Sequence, residues 1–221
     1  MIAQNLESLR SRLPKRVELV AVSKFHPVEA IRQAYDAGQR IFGENRVQEL
    51  VAKAPQLPDD VRWHMIGHLQ RNKVRQLMPH VAMIESVDSV ELLRLIEKEA
   101  ARIGRNVDVL LQLHVAQEQT KTGFAIDELL AALATEELTG LEHVRLCGLM
   151  AMATHADDAS LIAQEFTLVR DTFRVVKEEF FPEDEAFSQI SMGMSDDWPI
   201  AVECGATLIR VGSSIFGPRE Y

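Results

Sequence analysis

Eight short runs rich in Val, Ile and Leu recur along the chain, and between them the apolar residues switch to helical spacing. No other feature limits the fold as tightly. Runs apolar on both sides read as strands covered by helices on both faces, not as half-exposed strands of an antiparallel sheet. The pattern predicts strands at 17–24 (VELVAVSK), 40–44, 62–67, 82–87, 108–115, 145–151, 188–193 and 207–212. Helices are predicted near 27–38, 45–54, 70–78, 89–103, 126–135, 158–180 and 196–204, with one more at 2–13 ahead of the first strand. Local signals agree with these bounds. Pro27 suits a first helical position and Gly38 a helix end. Asp88 or Ser89 can cap the helix that Gly104 closes, and Asp157 and Asp158 open the long amphipathic one.

Eight strands alternating with helices require parallel pairing and right-handed crossovers. At 221 residues the count fits an α/β protein with one (β/α)₈ TIM barrel over residues 1–221 and an extra N-terminal helix. A doubly wound open sheet would use fewer strands at this length. The sequence shows no linker, low-complexity segment or repeat.

A net charge of −9 excludes broad electrostatic binding to nucleic acid or anionic membranes and leaves room only for a local basic pocket. The two cysteines, Cys147 and Cys204, lie far apart in apolar contexts and read as reduced core residues. The N-terminal stretch carries charges throughout, and no apolar run is long enough to span a bilayer. A cytoplasmic monomer is expected.

In a barrel of this kind the active site lies where the strands end. That rule selects Ser23 and Lys24, Glu44 and Asn45, Gly67 and His68, Ser86, His114, Met150 and Ala151, Ser191 and Gly193, and Arg210, Gly212, Ser213 and Ser214. Phosphate sites in barrels are often built by the loops after the last two strands, here SMGMSDD (191–197) and RVGSSIFG (210–217). Gly193 and Gly212 allow close backbone approach to an anion, Ser191, Ser213 and Ser214 supply hydroxyl donors, and a helix opening near Asp196 adds N–H groups. Arg210 shares a strand face with Leu208, so it is either paired with a glutamate such as Glu44 or Glu203 or held as a fixed cation beside a ligand. Lys24 follows Val20 and Val22 on one face. Alone it could be a solvated strand end. Beside a phosphate site it suggests an amine that condenses with a carbonyl. A phosphorylated sugar or pyridoxal 5'-phosphate (PLP) fits that chemistry, and only PLP also uses an arginine at its ring nitrogen. His64 and His68 are four apart, but they run through a strand end and lack a zinc motif, so no metal is expected. His114 and Lys121-Thr122-Gly123 could line the barrel mouth or form a turn.

These residues, met in order, resemble the pyridoxal phosphate homeostasis protein family (the YggS/PROSC group). The likeness runs through AVSK (21–24), FGENRVQE (42–49), WHMIGHLQRNK (63–73), KTGF (121–124), GLMAM (148–152), SMGMSDD (191–197) and IRVGSSIFGPREY (209–221). The resemblance implies a PLP-binding barrel similar to the N-terminal domain of alanine racemase. By the motif match Lys24 is the Schiff-base lysine, Ser191, Gly212 and Ser213 hold the phosphate, Arg210 faces the pyridine nitrogen and Asn45 lies near the ring. It further implies vitamin B6 homeostasis, with PLP held or delivered to PLP-dependent apoenzymes and no dedicated turnover; the alternative is a racemase-like enzyme. Two positions depart from the family pattern: Arg46 stands where Tyr is frequent, and Ser213 where Thr is. The only tyrosines, Tyr35 and Tyr221, are poorly placed to serve as a second base.

Overall fold

Strand β1 (Glu18–Val22) hydrogen-bonds to both β2 (Ile41–Glu44) and β8 (Leu208–Val211), which closes the sheet into a barrel. The structure is a computed structural model and describes residues 1–116, 122–135, 138 and 140–217. Lys121 and Tyr221, both named above, lie outside the described residues, as does the end of the last motif from Pro218. Between β2 and β8 run β3 (Arg62–Met65), β4 (Met83–Val87), β5 (Val107–Leu113), β6 (Val144–Ala151) and β7 (Gln189–Ser191), every pair parallel. The connecting helices are α2 (Val28–Asp36), α3 (Val47–Lys53), α4 (Val74–Leu77), α5 (Val90–Ile103), α6 (Ile126–Ala134), α7 (Ala159–Phe180) and α8 (Trp198–Glu203). Helix α1 (Ile2–Arg12) precedes the barrel and α9 (Ser213–Phe216) follows it.

The predicted elements are all present, with shifted ends. The helix expected at 70–78 is a 3₁₀ turn at Arg71–Lys73 followed by the single turn of α4. The helix expected at 196 begins at Trp198, because Asp197 takes the capping position. Helix α9 was not anticipated: four residues between Gly212 and Gly217 are too few to show a helical period. Ser89 and Asp158 are the caps chosen by the chain, accepting from Leu92 N–H and from Ser160 and Leu161 N–H respectively.

Two apolar clusters follow from strands covered on both faces. The larger fills the space between barrel and helices, with Phe42, Phe166 and Phe187 fully buried. The smaller plugs the barrel itself, from Val20, Ile41, Met83, Leu110, Cys147, Met150 and Leu208. Burial pushes the Cys147 thiol up to about 11, so it is a packing residue rather than a nucleophile. Helix α1 buries Leu6 and Leu9, and Asn5 Nδ2 donates to Ile215 O at 2.9 Å. That bond ties α1 to α9 at the end of β8.

One surface carboxylate joins several elements. Glu97 on α5 accepts from the N–H groups of Glu142 (3.2 Å), His143 (3.0 Å) and Val144 (2.8 Å) and faces His143 Nδ1 at 3.2 Å. Burial works against its charge, but the His143, Glu142 and Val144 donors prevail and hold the carboxyl below its usual range. A depressed value in the folded state contributes stability above the ordinary glutamate range, lost as pH falls through the folded value. Glu97→Gln should cost about 1–3 kcal/mol near neutrality. It should also flatten the acid side of a stability–pH curve measured by urea unfolding; an unchanged acid limb would show that the clamp carries no such linkage.

Candidate functional site

The strand ends gather around the last residues of β1. Ser23, buried, donates to Glu44 Oε1 at 2.7 Å. Lys24 follows, and then Phe25, a non-glycine residue at φ +67°, a left-handed conformation that costs roughly 1–2 kcal/mol. The corner is held by polar contacts. Phe25 N–H donates to Glu49 Oε2 at 2.9 Å. Behind it the buried Lys53 Nζ donates to Ser23 O (3.0 Å), Glu44 Oε1 (2.8 Å) and Glu49 Oε2 (2.9 Å). Burial pushes the Glu44 carboxyl up despite Lys53 and Ser23. Glu49 goes the other way: burial opposes its charge, but Phe25 N–H, Lys53 and Arg46 hold it below the usual range. The Arg46 guanidinium lies 5.1 Å from the Phe25 ring centre, so from outside it covers the same corner. Strain next to Lys24 is thus matched by a cluster built to maintain it.

Across the barrel, Arg210 is only 4% exposed and is held by two hydrogen bonds. Its Nη1 donates to Ser191 Oγ at 2.5 Å and its Nη2 to Ala151 O at 2.8 Å. The carboxylate facing it is Glu85, at 3.7 Å, rather than Glu44 or Glu203, the two glutamates offered above as examples of a partner. Glu44 pairs with Lys53, and Glu203 is exposed at the end of α8. Glu85 Oε2 also accepts from Ser191 Oγ at 2.5 Å, and Oε1 lies 2.6 Å from His64 Nδ1. Burial opposes the Glu85 charge, but His64, Arg210 and Ser191 outweigh it and hold the carboxyl low. Burial likewise pushes Arg210 down, against Glu85 and Asp197; a guanidinium nonetheless keeps its proton in a protein. His64 and His68 go to different partners, Glu85 and Asp88. Among the described residues no three His, Cys, Asp or Glu side chains gather as a metal site.

Between the two halves lies a cavity of about 240 Å³. The β1–β8 pairing, Ala21 opposite Val211, brings Lys24 and Gly212 onto one cavity although they are far apart in sequence. Lys24, Asn45, Arg210, Gly212 and Ser213 line the cavity. Ser191 does not; it is fully buried behind Arg210. Ser195, which lines the cavity and accepts from Gly212 N–H at 3.3 Å, is a residue the strand-end rule missed. Gly193 serves packing, since a Cβ there would lie 2.6 Å from the Ala201 Cβ. Met194 N–H is taken by Asp197 Oδ1 at 2.5 Å, so Asp197 acts as a loop clasp. Asn45 Oδ1 is buried without a partner among the described residues. Gly67 leaves room for that stretch, because its Cβ would sit 2.4 Å from Asn45 O.

A family model described as the alanine racemase N-terminal domain matches residues 1–220. The pyridoxal phosphate homeostasis protein of Pasteurella multocida is 35% identical over 226 residues, covering 100% of this chain and 95% of its own. That of Helicobacter pylori is 40% identical over 202 residues, covering 90% of this chain and 87% of its own. The chain belongs to the pyridoxal phosphate homeostasis protein family. Family likeness extends to solved structures. PipY from Synechococcus elongatus PCC7942, solved without PLP and with PLP bound, superposes with TM-scores of 0.93 and 0.90. It is 42% identical and covers 98% of this chain and 100% of its own. Alanine racemase from Clostridium difficile shares the fold, with a TM-score of 0.77 at 16% identity over 97% of this chain and 55% of its own. Within this family fold, Tyr35 stands at the far end of the barrel. Its hydroxyl donates to Asp60 at 2.6 Å, ahead of β3.

Proposed function

We propose that the chain is a single barrel domain, residues 1–221, that binds PLP on Lys24 and holds it for vitamin B6 homeostasis without a catalytic turnover of its own. The observation that carries this reading is the placement of Lys24 and the Arg210–Gly212–Ser213 segment on one cavity of about 240 Å³. That volume is below the range of about 300–1,000 Å³ for drug-sized pockets and suits a single-ring ligand. The donor set also fits the group: an amine, a fixed guanidinium, a glycine-flanked pair of hydroxyls, and a buried amide oxygen on Asn45 without a partner among the described residues.

PLP, when bound, would supply an aldehyde, and Lys24 would be the amine that holds it. Lys24 is aimed by the Phe25 corner and its Lys53–Glu49 support. Ser213 and Ser195 would offer hydroxyls for a phosphate, and Gly212, whose N–H is given to Ser195 Oγ, allows its close approach. Arg210 would face the ring nitrogen and, as a fixed cation, would disfavour its protonation, which supports storage over catalysis. Ser191 contributes from behind, through Arg210. Asn45 lies alongside the ring. Tyr35, turned to Asp60 at the opposite end, is not available as a second base.

No helix among the described residues is long and apolar enough to cross a membrane. Two buried free cysteines suit the reducing cytoplasm. We place the protein there, as a monomer, with PLP-dependent apoenzymes as recipients.

Borohydride reduction after incubation with PLP, followed by mass analysis of the Lys24 peptide, tests the reading. A pyridoxyl adduct on Lys24 is expected, and its absence overturns the assignment. Chiral analysis after incubation with L-alanine or L-serine tests the second half. Racemisation faster than with free PLP would make the protein an enzyme.

A further inference from the structure

Glu85 and His64 form a buried charged group inside the barrel that the reading above leaves without a role. Two residues beyond the interior Met83 and Leu208, Glu85 and Arg210 continue the inward faces of β4 and β8. At this point the β4–β5 register slips between Ile84 and Val87, and such irregularities re-aim side chains near functional sites. Glu85 is fully buried and His64 is 1% exposed. A carboxylate in such a place is costly unless every oxygen is engaged, and both are: Oε1 by His64 Nδ1 at 2.6 Å, Oε2 by Ser191 Oγ at 2.5 Å. With Glu85 ionised, Nδ1 carries the proton, and His64 Nε2 is left without a partner among the described residues. The charged groups around Arg210 are Glu85 at 3.7 Å and, through space, Asp197. Asp197 keeps its charge while accepting from Met194 N–H, but Glu85 is the carboxylate within ion-pair distance and so is the main counter-charge.

Resting on the PLP reading, we propose that Glu85 and His64 are positioning residues for Arg210. They fix the guanidinium at the inner wall of the cavity and cancel most of its charge, so that a pyridine nitrogen seated there meets a directed donor rather than a bare cation. Neither residue touches the ligand. The pair acts through Arg210, and Ser191 is the bridge.

Glu85→Gln keeps the shape and an acceptor for Ser191 while removing the charge. In the PLP-free protein, NMR exchange of the Arg210 guanidinium protons with water should speed up by about tenfold or more, because the facing charge of a buried ion pair is lost. In the PLP-loaded protein, the midpoint of the absorbance–pH titration should fall by about 1 unit, as an uncompensated nearby cation disfavours the protonated chromophore. His64→Leu, which removes a donor from the Glu85 carboxylate, should move both readouts the same way. His64→Asn, whose amide can still donate to Glu85, should stay near wild type. The His64 pair decides the matter if Glu85→Gln does not fold. Wild-type exchange in the PLP-free Glu85→Gln and His64→Leu proteins, or a wild-type titration in the loaded ones, overturns the inference. If the wild-type protein takes up no PLP, the proposed function fails, and the PLP-free exchange still judges the role of Glu85.

Discussion

Lys24→Ala is expected to abolish the absorption of the covalently linked chromophore and nearly all the thermal stabilisation that PLP confers. A ligand present at about 100 times its Kd stabilises the folded state by about 2.7 kcal/mol. For a chain of this size that corresponds to a rise of about 5–10 °C in melting temperature. The C=N link supplies much of the binding, so the variant should show a shift of no more than about 1–2 °C at the same PLP concentration. The substitution itself should be nearly neutral without PLP. Lys24 is only partly buried, and the fixed part of the corner is carried by its neighbours: Ser23 O and Phe25 N–H are both held from below by Lys53 and Glu49. A scanning calorimetry pair, with and without PLP, separates the two effects. Equal shifts in wild type and variant would mean that another amine receives the aldehyde.

The architecture was legible because each barrel strand is covered on both faces and so leaves an uninterrupted apolar run. Val20, Leu110 and Leu208 face the barrel interior while Ala21, Leu111 and Ile209 face the helices. That arrangement makes both the strand count and the parallel pairing readable. Part of the candidate cavity was legible for a related reason. Lys24, Asn45, Arg210, Gly212 and Ser213 all stand at strand ends, and β1 meets β8 on closure. Three parts were hidden. Glu85 lies two residues before the end of β4, where the register slips, so the strand-end rule selected Ser86, whose hydroxyl is tied to Gly67 O at 2.6 Å. Ser191 looked like a phosphate donor because it neighbours Gly193, yet it is turned inward to Arg210 and Glu85. The support under Lys24 joins Ser23, Glu44, Glu49 and Lys53 across β1, β2 and α3, a set in which only the i,i+4 pair Glu49–Lys53 is a local pattern. A buried ion pair announces itself in sequence only as a charge in an apolar run, and its partner is fixed by closure alone.

Gly148→Ala should be the most damaging single-methyl change in the barrel. In β6 the register against β5 steps at Cys147: Val109 faces Leu146, whereas Leu110 faces Gly148. Such a bulge leaves Gly148 at φ +147°. A Cβ there would lie 1.8 Å from Gln189 O, far inside contact distance. The clash falls on β7, which is only three residues long and joins β6 through Gly148–Gln189, Leu149–Ile190 and Met150–Ser191. Relief requires β7 to move outward and carry Ser191 away from Arg210. Backbone strain of about 1–3 kcal/mol adds to an overpacking cost of similar size, for a total of about 2–6 kcal/mol and a fall in melting temperature on the order of 10 °C. Gly104→Ala isolates the backbone contribution, because φ is +64° there and nothing lies within 4 Å of the added Cβ. It should cost about 1 kcal/mol. Urea unfolding of the two variants side by side reads the difference as steric. Similar losses in both would mean that β7 is free to yield. In that case the Ser191 bridge to Arg210 would be equally soft, and Arg210 would be held by Ala151 O and Glu85 alone.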